Sequence, residues 1–420
     1  MVLDTRPPLI EAILRAADLI PLTKSRAGPL GDIRLVAIGK GASAMAQALA
    51  EVARIEDGLV VSPADVPPPK GLRLIVADHP RPSARSFRAG REVLDYVSSL
   101  GRGDTLVLAI SGGASALAEV PLISEEDLLA VWNLLLTSGL DIHEVNAVRK
   151  RLSAIKGGRL GALAAGRGVR VVNVVASDVP CDDPSDVGSG PGVPDNTTPE
   201  DAYRALKIRG LWGRLPESAK ALIESMRGRA DTPRQFPHEV RVVARNADVL
   251  EAVKRSFGGE AITSCAVGEA RELGKAVAYI ARERGAPIIL GGEPSVTVRG
   301  RGRGGRTTEF ALAFALHARG GLAALALATD GLDGNTGVAG VWADPLLLGD
   351  LEALGLSVEE LFADNDTYRP FEATGRVVAT GPTGTNLNLV FYIDRWSRLS
   401  KLLGLEAGGE VQEGQINGHV

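Results

Sequence analysis

Short apolar runs alternate with helical patterns along most of the chain. Eight runs have the length and composition of buried strands, at residues 35–38, 59–61, 72–76, 105–110, 169–176, 240–244, 287–290 and 322–328. Helical periodicity separates several of them, as at 43–53, 86–100 and 125–136. This alternation predicts an α/β fold built on parallel, doubly wound sheets.

The pattern changes toward the C-terminus. Residues 295–299 and 387–393 look like alternating or edge strands, so we expect a mixed sheet there. The stretch 194–237 is rich in Pro, Arg and Asp, and its last part, 229–237, is the best candidate for a boundary. We therefore expect two domains, 1–238 and 239–420.

Composition narrows the classes of function. Aromatic residues make up 4% of the 420 residues and the net charge is −4, which argues against a nucleic-acid partner. The amphipathic pattern within residues 1–20 is interrupted by Glu11, Arg15 and Asp18, so we expect neither a signal peptide nor a membrane partner. Cys181 and Cys265 lack the spacing of a zinc ribbon or a disulfide framework, which predicts a reducing, cytoplasmic setting.

The glycine-rich loop after the first strand offers a phosphate site. Gly39, Gly41 and Ser43 lie in a match to the dinucleotide fingerprint G-x-G-x-x-[GA], whose glycines and helix amides accommodate phosphate. That fingerprint also needs an acid after the second strand, where this chain has Ser62, so a nicotinamide dinucleotide is disfavoured. Lys40 suits charge neutralisation on a transferred phosphoryl group, and a solvated turn lysine is the alternative.

A second loop echoes the first, since residues 109–118 match residues 37–46 at seven of ten positions. Its amides and hydroxyls suit an anion, and they belong to Ser111, Gly112, Gly113, Ala114 and Ser115. Ordinary close packing of a helix on a strand would explain the same glycines. No Walker A motif accompanies either loop, so any use of ATP requires a different fold.

Charged residues cluster in two further segments. Residues 146–159 form a basic helical pattern ending at paired glycines, and we expect most of its charges to be solvated while one or two, such as Arg149, hold a carboxylate or phosphate. Asp178 directly follows a buried strand and suits a Mg²⁺ ligand or a base for a substrate hydroxyl. Asp330 and Asp333 follow another strand and suit Mg²⁺, although a bare turn is the alternative.

Three features of the C-terminal half complete the set of candidate residues. Glu293 follows the paired glycines after the strand at 287–290. The arginine-rich stretch 299–309 reads as a structured anion loop with Arg306 nearest a helix N-terminus, and Arg301 and Arg303 are expected to be exposed. Asn386 ends a turn of small polar residues.

Taken in order, these motifs resemble the glycerate 2-kinases of the MOFRL type. The matching segments are 38–42 (IGKGA), 111–115 (SGGAS), 146–158, 177–179 (SDV), 189–191 (SGP), 291–293 (GGE), 329–334 (TDGLDG) and Asn386. The resemblance implies an N-terminal Rossmann-like domain, a C-terminal MOFRL-type α/β domain and an active site in the cleft between them. It implies phosphorylation of D-glycerate at the 2-hydroxyl, with ATP and Mg²⁺, and leaves a homodimer open.

The resemblance also assigns roles to residues. Lys40 and Arg306 would be the catalytic cations, with Asp178 as a further catalytic group. The metal ligands would be Asp178, Asp330 and Asp333. Substrate or phosphate would be bound by Gly39, Gly41, Ser43, Ser111, Gly112, Gly113, Ala114, Ser115, Arg149, Glu293 and Asn386.

One departure from the family pattern concerns the nucleotide. The family commonly has Gly-Gly-Arg-Asn-Gln-Glu where this chain has Thr307 and Thr308 in place of Asn-Gln, which puts the nucleotide preference in doubt. Some members carry a hydroxypyruvate reductase label. An NAD(P)H-dependent hydroxyacid oxidoreductase is therefore the alternative function, and the missing acid after the second strand argues against it.

Overall fold

The computed structural model describes residues 7–229 and 231–405, which form an α/β fold with two six-stranded sheets. The first sheet contains β1 (Asp32–Ile38), β2 (Arg54–Ser62), β3 (Leu72–Val76), β4 (Thr105–Ile110), β5 (Arg170–Ala176) and β6 (Glu239–Ala244). The second contains β7 (Glu260–Ala266), β8 (Ile288–Gly292), β9 (Leu322–Ala328), β10 (Gly340–Ala343), β11 (Val377–Val378) and β12 (Leu389–Arg395).

Seventeen α-helices lie in the described part of the chain. The N-terminal ones are α1 (Pro8–Ala16), α2 (Leu19–Arg26), α3 (Ala42–Ala50), α4 (Ala84–Ser99), α5 (Ala114–Leu117), α6 (Glu125–Leu136), α7 (Ile142–Arg151), α8 (Arg159–Gly166), α9 (Pro199–Ile208) and α10 (Glu217–Met226). The others are α11 (Asn246–Phe257), α12 (Ala270–Arg284), α13 (Arg306–His317), α14 (Leu347–Ala353), α15 (Val358–Ala363), α16 (Arg369–Ala373) and α17 (Trp396–Leu402).

The first sheet is parallel throughout, with the strand order β3-β2-β1-β4-β5-β6. This is the order of a doubly wound Rossmann sheet, so the predicted fold class is confirmed. The direction of winding reverses between β1 and β4, and such sheets bind their ligands at the carboxyl ends of the strands beside this reversal. The two similar glycine-rich loops follow these two strands.

The second sheet is mixed, as predicted, with the order β11-β10-β9-β12-β8-β7. Strand β12 is antiparallel to both β8 and β9, so the turn before β12 lies beside the carboxyl ends of these two strands. The prediction of edge strands was wrong. β12 is central and buried from Leu389 to Asp394, while the segment 295–299 contributes one isolated bridge at Ser295.

A continuous apolar core connects the two sheets. It joins residues of β1 and β4 to residues of β8, β9 and β12 through α1, α11 and α17. The strand that follows the predicted boundary, β6, pairs with β5 in the first sheet, and α11 then packs against α1. The division into domains at residue 238 stays a prediction. Residues 1–6, 230 and 406–420 of the two predicted domains lie outside the described residues.

Candidate active site

Loops at the ends of strands from both sheets meet at one place. Lys40 follows β1 and Asp178 follows β5, whereas Asp330 follows β9 and Asn386 precedes β12. The Lys40 Nζ atom lies 3.0 Å from Asp330 Oδ2. Asn386 donates a hydrogen bond to Asp178 Oδ2 at 3.2 Å. Lys40 and Asp178 follow strands of the first sheet, and each contacts a predicted residue of the second sheet, Asp330 and Asn386 respectively.

The two similar loops interlock beneath these side chains. The Gly41 amide donates to Ser111 Oγ at 3.0 Å, and the Lys40 amide donates to the Gly112 carbonyl at 2.8 Å. Gly39 has a φ of +139°, and a side chain there would collide with Ser111. A side chain at Gly112 would strike the Asp178 carboxylate. The absence of side chains at Gly39 and Gly112 thus allows the Lys40 loop and the Asp178 loop to pack closely against the loop at residues 111–113.

The surroundings of Asp178 raise the pKa of its carboxyl group toward neutral pH. Burial, and then the neighbouring Glu293 carboxylate, raise the pKa of Asp178 to about 7. Lys40 opposes this rise without cancelling it. A carboxyl group with this pKa exchanges protons near neutral pH, which suits a general base.

Arg306 lies at the N-terminus of α13 and pairs with Glu293. Burial works against its charge, but Glu293 and Asp333 raise the pKa of Arg306. Asp333, predicted as a metal ligand, accepts hydrogen bonds from the amides of Arg306 and Thr307, both at 2.9 Å. Its carboxylate is fully buried and caps the helix, so it positions Arg306. The metal role predicted for Asp333 therefore has no support in this geometry.

The two threonines that depart from the family pattern lie beneath the site. Thr307 Oγ1 donates to Asp333, and Thr308 Oγ1 accepts from the Gly305 amide at 2.8 Å. Both residues are completely buried. They support the start of α13, while Arg301 and Arg303 are exposed, as expected.

The basic segment behaves differently from its prediction. Lys150, Arg151 and Lys156 are buried, so the expectation that most of its charges are solvated was wrong. Lys150 lies 3.1 Å from Asp195, and Arg151 lies 2.8 Å from the same carboxylate. Lys156 pairs with Glu119. These acids come from distant parts of the chain, and their ion pairs make the burial of the cations tolerable.

Arg149 is the exception within that segment. Its guanidinium lies over the Trp132 ring, 3.9 Å from the centroid. Its Nε atom is buried without a hydrogen-bond acceptor, and no carboxylate forms an ion pair with it in residues 7–229 and 231–405. Burial lowers the pKa of Arg149 to about 10, which leaves the group a cation at neutral pH.

His79 lies near Lys40, within reach of the charge of Arg149, and was missed by the sequence analysis. Partial burial, and then the charges of Lys40 and Arg149, lower the pKa of His79 to about 4, so the ring is neutral at neutral pH. A side chain at Gly113 would contact both His79 and Lys40. The available signal was its position just after the predicted strand at 72–76.

Two predicted hydroxyl groups have different surroundings. Ser115 Oγ lies 2.7 Å from Ser189 Oγ, which in turn donates to Asn146, so this hydroxyl belongs to a protein network. Ser43 Oγ is buried and has no hydrogen-bond partner among the described residues. Ser43 is therefore the better candidate to contact a ligand.

The two cysteines form a disulfide, contrary to the expectation from their spacing in the sequence. Cys181 lies three residues after Asp178, Cys265 lies in β7, and their Cα atoms are 5.1 Å apart. Their separation of 84 residues in sequence gave no sign of this proximity. The bond ties the Asp178 loop to the second sheet.

No group of three or more His, Cys, Asp or Glu side chains within residues 7–229 and 231–405 is arranged to hold a metal ion. In the same residues, no helix combines the length and the apolar character that a bilayer crossing requires.

Family models match both parts of the chain. One, described as a domain of unknown function (DUF4147), matches residues 8–224. The other, the MOFRL family, matches residues 286–389. Together they cover the loops that carry Lys40, Asp178, Arg306 and Asp330.

Known proteins resemble the chain over most of its length. A glycerate 2-kinase from Pyrococcus horikoshii is 36% identical over 384 residues, which is 86% of each chain. A putative hydroxypyruvate reductase from Agrobacterium vitis is 37% identical over 385 residues, again 86% of each. The crystal structure of a glycerate kinase from Thermotoga maritima has a TM-score of 0.78 and 33% identity, and covers 92% of this chain and 97% of that one.

Proposed function

The chain belongs to the glycerate 2-kinase family, and on that premise we propose that it transfers the γ-phosphoryl group of ATP to the 2-hydroxyl of D-glycerate. The observation that carries this proposal is the meeting of Lys40, Asp178, Arg306 and Asp330 at the strand ends of two sheets. Phosphoryl transfer depends mainly on positioning and on neutralising charge, and these groups supply both.

In the proposed reaction, the 2-hydroxyl oxygen of glycerate attacks the γ-phosphorus. The bond from that phosphorus to the β,γ-bridging oxygen breaks, and ADP leaves. Asp178 accepts the hydroxyl proton, which its raised pKa favours. Lys40 and Arg306 stabilise the charge on the transferred group.

Arg149 is proposed to bind the carboxylate of glycerate. The guanidinium is half-buried, its Nε atom has no acceptor, and no carboxylate forms an ion pair with it among the described residues, so a substrate carboxylate would supply a partner through two parallel hydrogen bonds. The neutral His79 ring beside it adds no competing charge.

Mg²⁺ is proposed to arrive with the nucleotide. The residues fit this ion, because Asp330 offers the carboxylate oxygens that Mg²⁺ prefers and lies beside Lys40. Asp178 is kept for the hydroxyl proton, since a Mg²⁺ ion on its carboxylate would remove the raised pKa. The ion would neutralise charge on the β- and γ-phosphates. Asp333 is left out of this ligand set, since its oxygens cap α13.

One assay tests the proposal against its alternative. Purified protein is incubated with D-glycerate, ATP and Mg²⁺, ADP formation is followed, and ³¹P and ¹³C NMR identify the phosphorylated carbon. A parallel reaction contains hydroxypyruvate and NADH. ADP formation with phosphate on carbon 2 is expected, whereas NADH oxidation without phosphoryl transfer would establish the oxidoreductase. Phosphate on carbon 3 would refute the assigned position.

A further inference from the structure

A cavity of about 590 Å³ opens beside Lys40, outside the cluster of charged groups. One wall is a face of α3, where Ser43, Gln47 and Ala50 recur at helical spacing. The opposite wall is the segment that follows β2, from Ser62 to the three prolines at 67–69. We call this space the α3 cavity, and its volume lies in the range of small-molecule sites.

The polarity of the α3 cavity changes along its length. Lys40 and the N-terminus of α3 lie at one end, where a phosphate would be favoured. The wall of prolines is apolar and conformationally restricted. Ser43 contributes to the lining of this space, while its Oγ atom is itself buried and has no hydrogen-bond partner among the described residues. Beyond Lys40 the one other charged residue of the lining is Glu51, which pairs with Lys24. A cation at one end and mainly apolar walls beyond it suit a molecule with a polyphosphate joined to a flat ring system.

The position of the cavity in the fold points to the same kind of molecule. Doubly wound sheets with this strand order bind a nucleotide at the carboxyl end of β1, with the pyrophosphate on the helix that follows. The ribose then lies toward the end of β2. The α3 cavity occupies the space between these two elements.

We propose that the α3 cavity binds the nucleoside of the phosphate donor. This inference rests on the proposed kinase function and adds a binding site to it. The base lies against the prolines, the ribose lies near Gln47, and the phosphates extend to Lys40 and Ser43. Glycerate is the wrong occupant, because a small carboxylate gains little from apolar walls and Arg149 is available to it elsewhere.

The end of β2 sets the selectivity for the sugar. Ser62 stands where dinucleotide-binding sheets carry an acid that hydrogen-bonds the ribose 2′-hydroxyl. The Ser62 hydroxyl already accepts from the Ala64 amide at 3.1 Å. Without a carboxylate, the site has little means to select for this hydroxyl, so 2′-deoxy-ATP is expected to replace ATP with a KM within about threefold.

Filling the cavity tests the assignment through binding alone. Ala50→Phe places a ring in the cavity from an exposed helix position, and Val52→Phe, at an exposed position that does not line it, is the matched control. The affinities for ADP and for inorganic tripolyphosphate are measured by calorimetry without glycerate. Ala50→Phe is expected to weaken ADP about tenfold or more and to leave tripolyphosphate within about twofold of the unaltered protein.

The possible outcomes distinguish a failure of the nucleoside assignment from a failure of the kinase proposal. Unchanged ADP affinity in Ala50→Phe, or an equal loss for ADP and tripolyphosphate, would overturn the nucleoside assignment. A loss in Val52→Phe as large as in Ala50→Phe would overturn it as well. If the unaltered protein binds ADP but forms no phosphoglycerate, the kinase proposal fails while the cavity assignment stands. A KM for 2′-deoxy-ATP more than about threefold above that for ATP would refute the predicted indifference to the 2′-hydroxyl.

Discussion

Arg149 and Arg151 lie two residues apart on α7 but belong to different charge clusters. Arg151 and Lys150 are fully buried against Asp195, and Lys150 also faces Asp186. We call these four residues the ion network. Arg149 has only the Trp132 ring beneath it. The ion network compensates its own charges and so serves the fold, whereas Arg149 has no ion-pair partner among the described residues and is proposed to receive the substrate carboxylate.

Two buried aspartates repeat this contrast. Despite burial, Lys150 and Arg151 lower the pKa of Asp195 to about 2. Burial and Glu293 raise the pKa of Asp178 to about 7. The same side chain is therefore a fixed charge in the ion network and a proton acceptor in the site. Compensation by neighbouring cations, more than burial itself, decides between these two states.

Removing Lys40 should have the largest effect on turnover. Lys40→Ala is expected to lower kcat about 10³-fold or more, because a cation facing the transferred group is lost. The free energy of unfolding should change by less than about 1 kcal/mol, since the ion pair with Asp330 is partly exposed. Steady-state kinetics and urea denaturation measure the two quantities. Lys275→Ala, at an exposed helical position, is the control, and equal kcat values in both variants would remove Lys40 from the mechanism.

Removing Asp195 should show the opposite pattern. Asp195→Ala removes the carboxylate that Lys150 and Arg151 share, leaving only Asp186 near Lys150 and Asp231 near Arg151, and is expected to lower the free energy of unfolding by about 3–5 kcal/mol. Because the folded-state pKa of Asp195 lies below its unfolded value of 3.8, its stabilisation is present above that pH and disappears as the pH falls toward 2. Urea denaturation checks the loss against the exposed control Asp95→Ala. A large kcat loss per folded molecule would show that the ion network also acts in catalysis.

Arg149 should affect substrate binding alone. Arg149→Lys keeps the charge but loses the paired hydrogen bonds, so the KM for D-glycerate is expected to rise about 10- to 100-fold while that for ATP is unchanged. D-Glyceramide lacks the carboxylate and should be phosphorylated equally by both proteins. Arg151→Lys, two residues away, is the matched variant and should reduce stability instead. A glyceramide penalty as large as the glycerate penalty would contradict carboxylate binding.

The positions of candidate-site residues could be predicted from the sequence where strand order alone determines them. Lys40, Asp178 and Asp330 directly follow apolar strands, and parallel strands deliver such residues to one edge of a sheet. The helix beginning at Arg306 followed from local signals in the same way. The interlocking of the two glycine-rich loops also has a physical reason, because the strands before them are neighbours at the reversal of winding.

The failures share a different cause. Lys150 and Lys156 lie in a segment that looks solvated, and only the acids Asp195 and Glu119, far away in sequence, make their burial stable. The cysteine pair and the central position of β12 likewise depend on contacts between distant segments. The metal role of Asp333 stays a prediction, although its carboxylate already accepts hydrogen bonds from the first amides of α13.

The smallest effect is the pH dependence that Asp178 should impose. If its carboxylate accepts the hydroxyl proton, kcat is expected to rise about tenfold per pH unit below 7 and to level off above it. Asp183→Asn, at an exposed position of the same loop, is the control and should keep this profile. Asp178→Asn should lose both the activity and the rise. A wild-type profile that is flat between pH 5 and 8 would exclude Asp178 as the base.

Stability should change with pH in the opposite direction. The folded-state pKa of Asp178 is raised above its unfolded value of 3.8, so its contribution is fully present below that value and is lost as the pH rises through about 7. Wild type should therefore lose stability relative to Asp178→Asn over the same range in which turnover increases. Urea denaturation of both proteins at about pH 5 and pH 8 measures this difference. A constant difference would mean that the site does not perturb Asp178, and its contrast with Asp195 would fail.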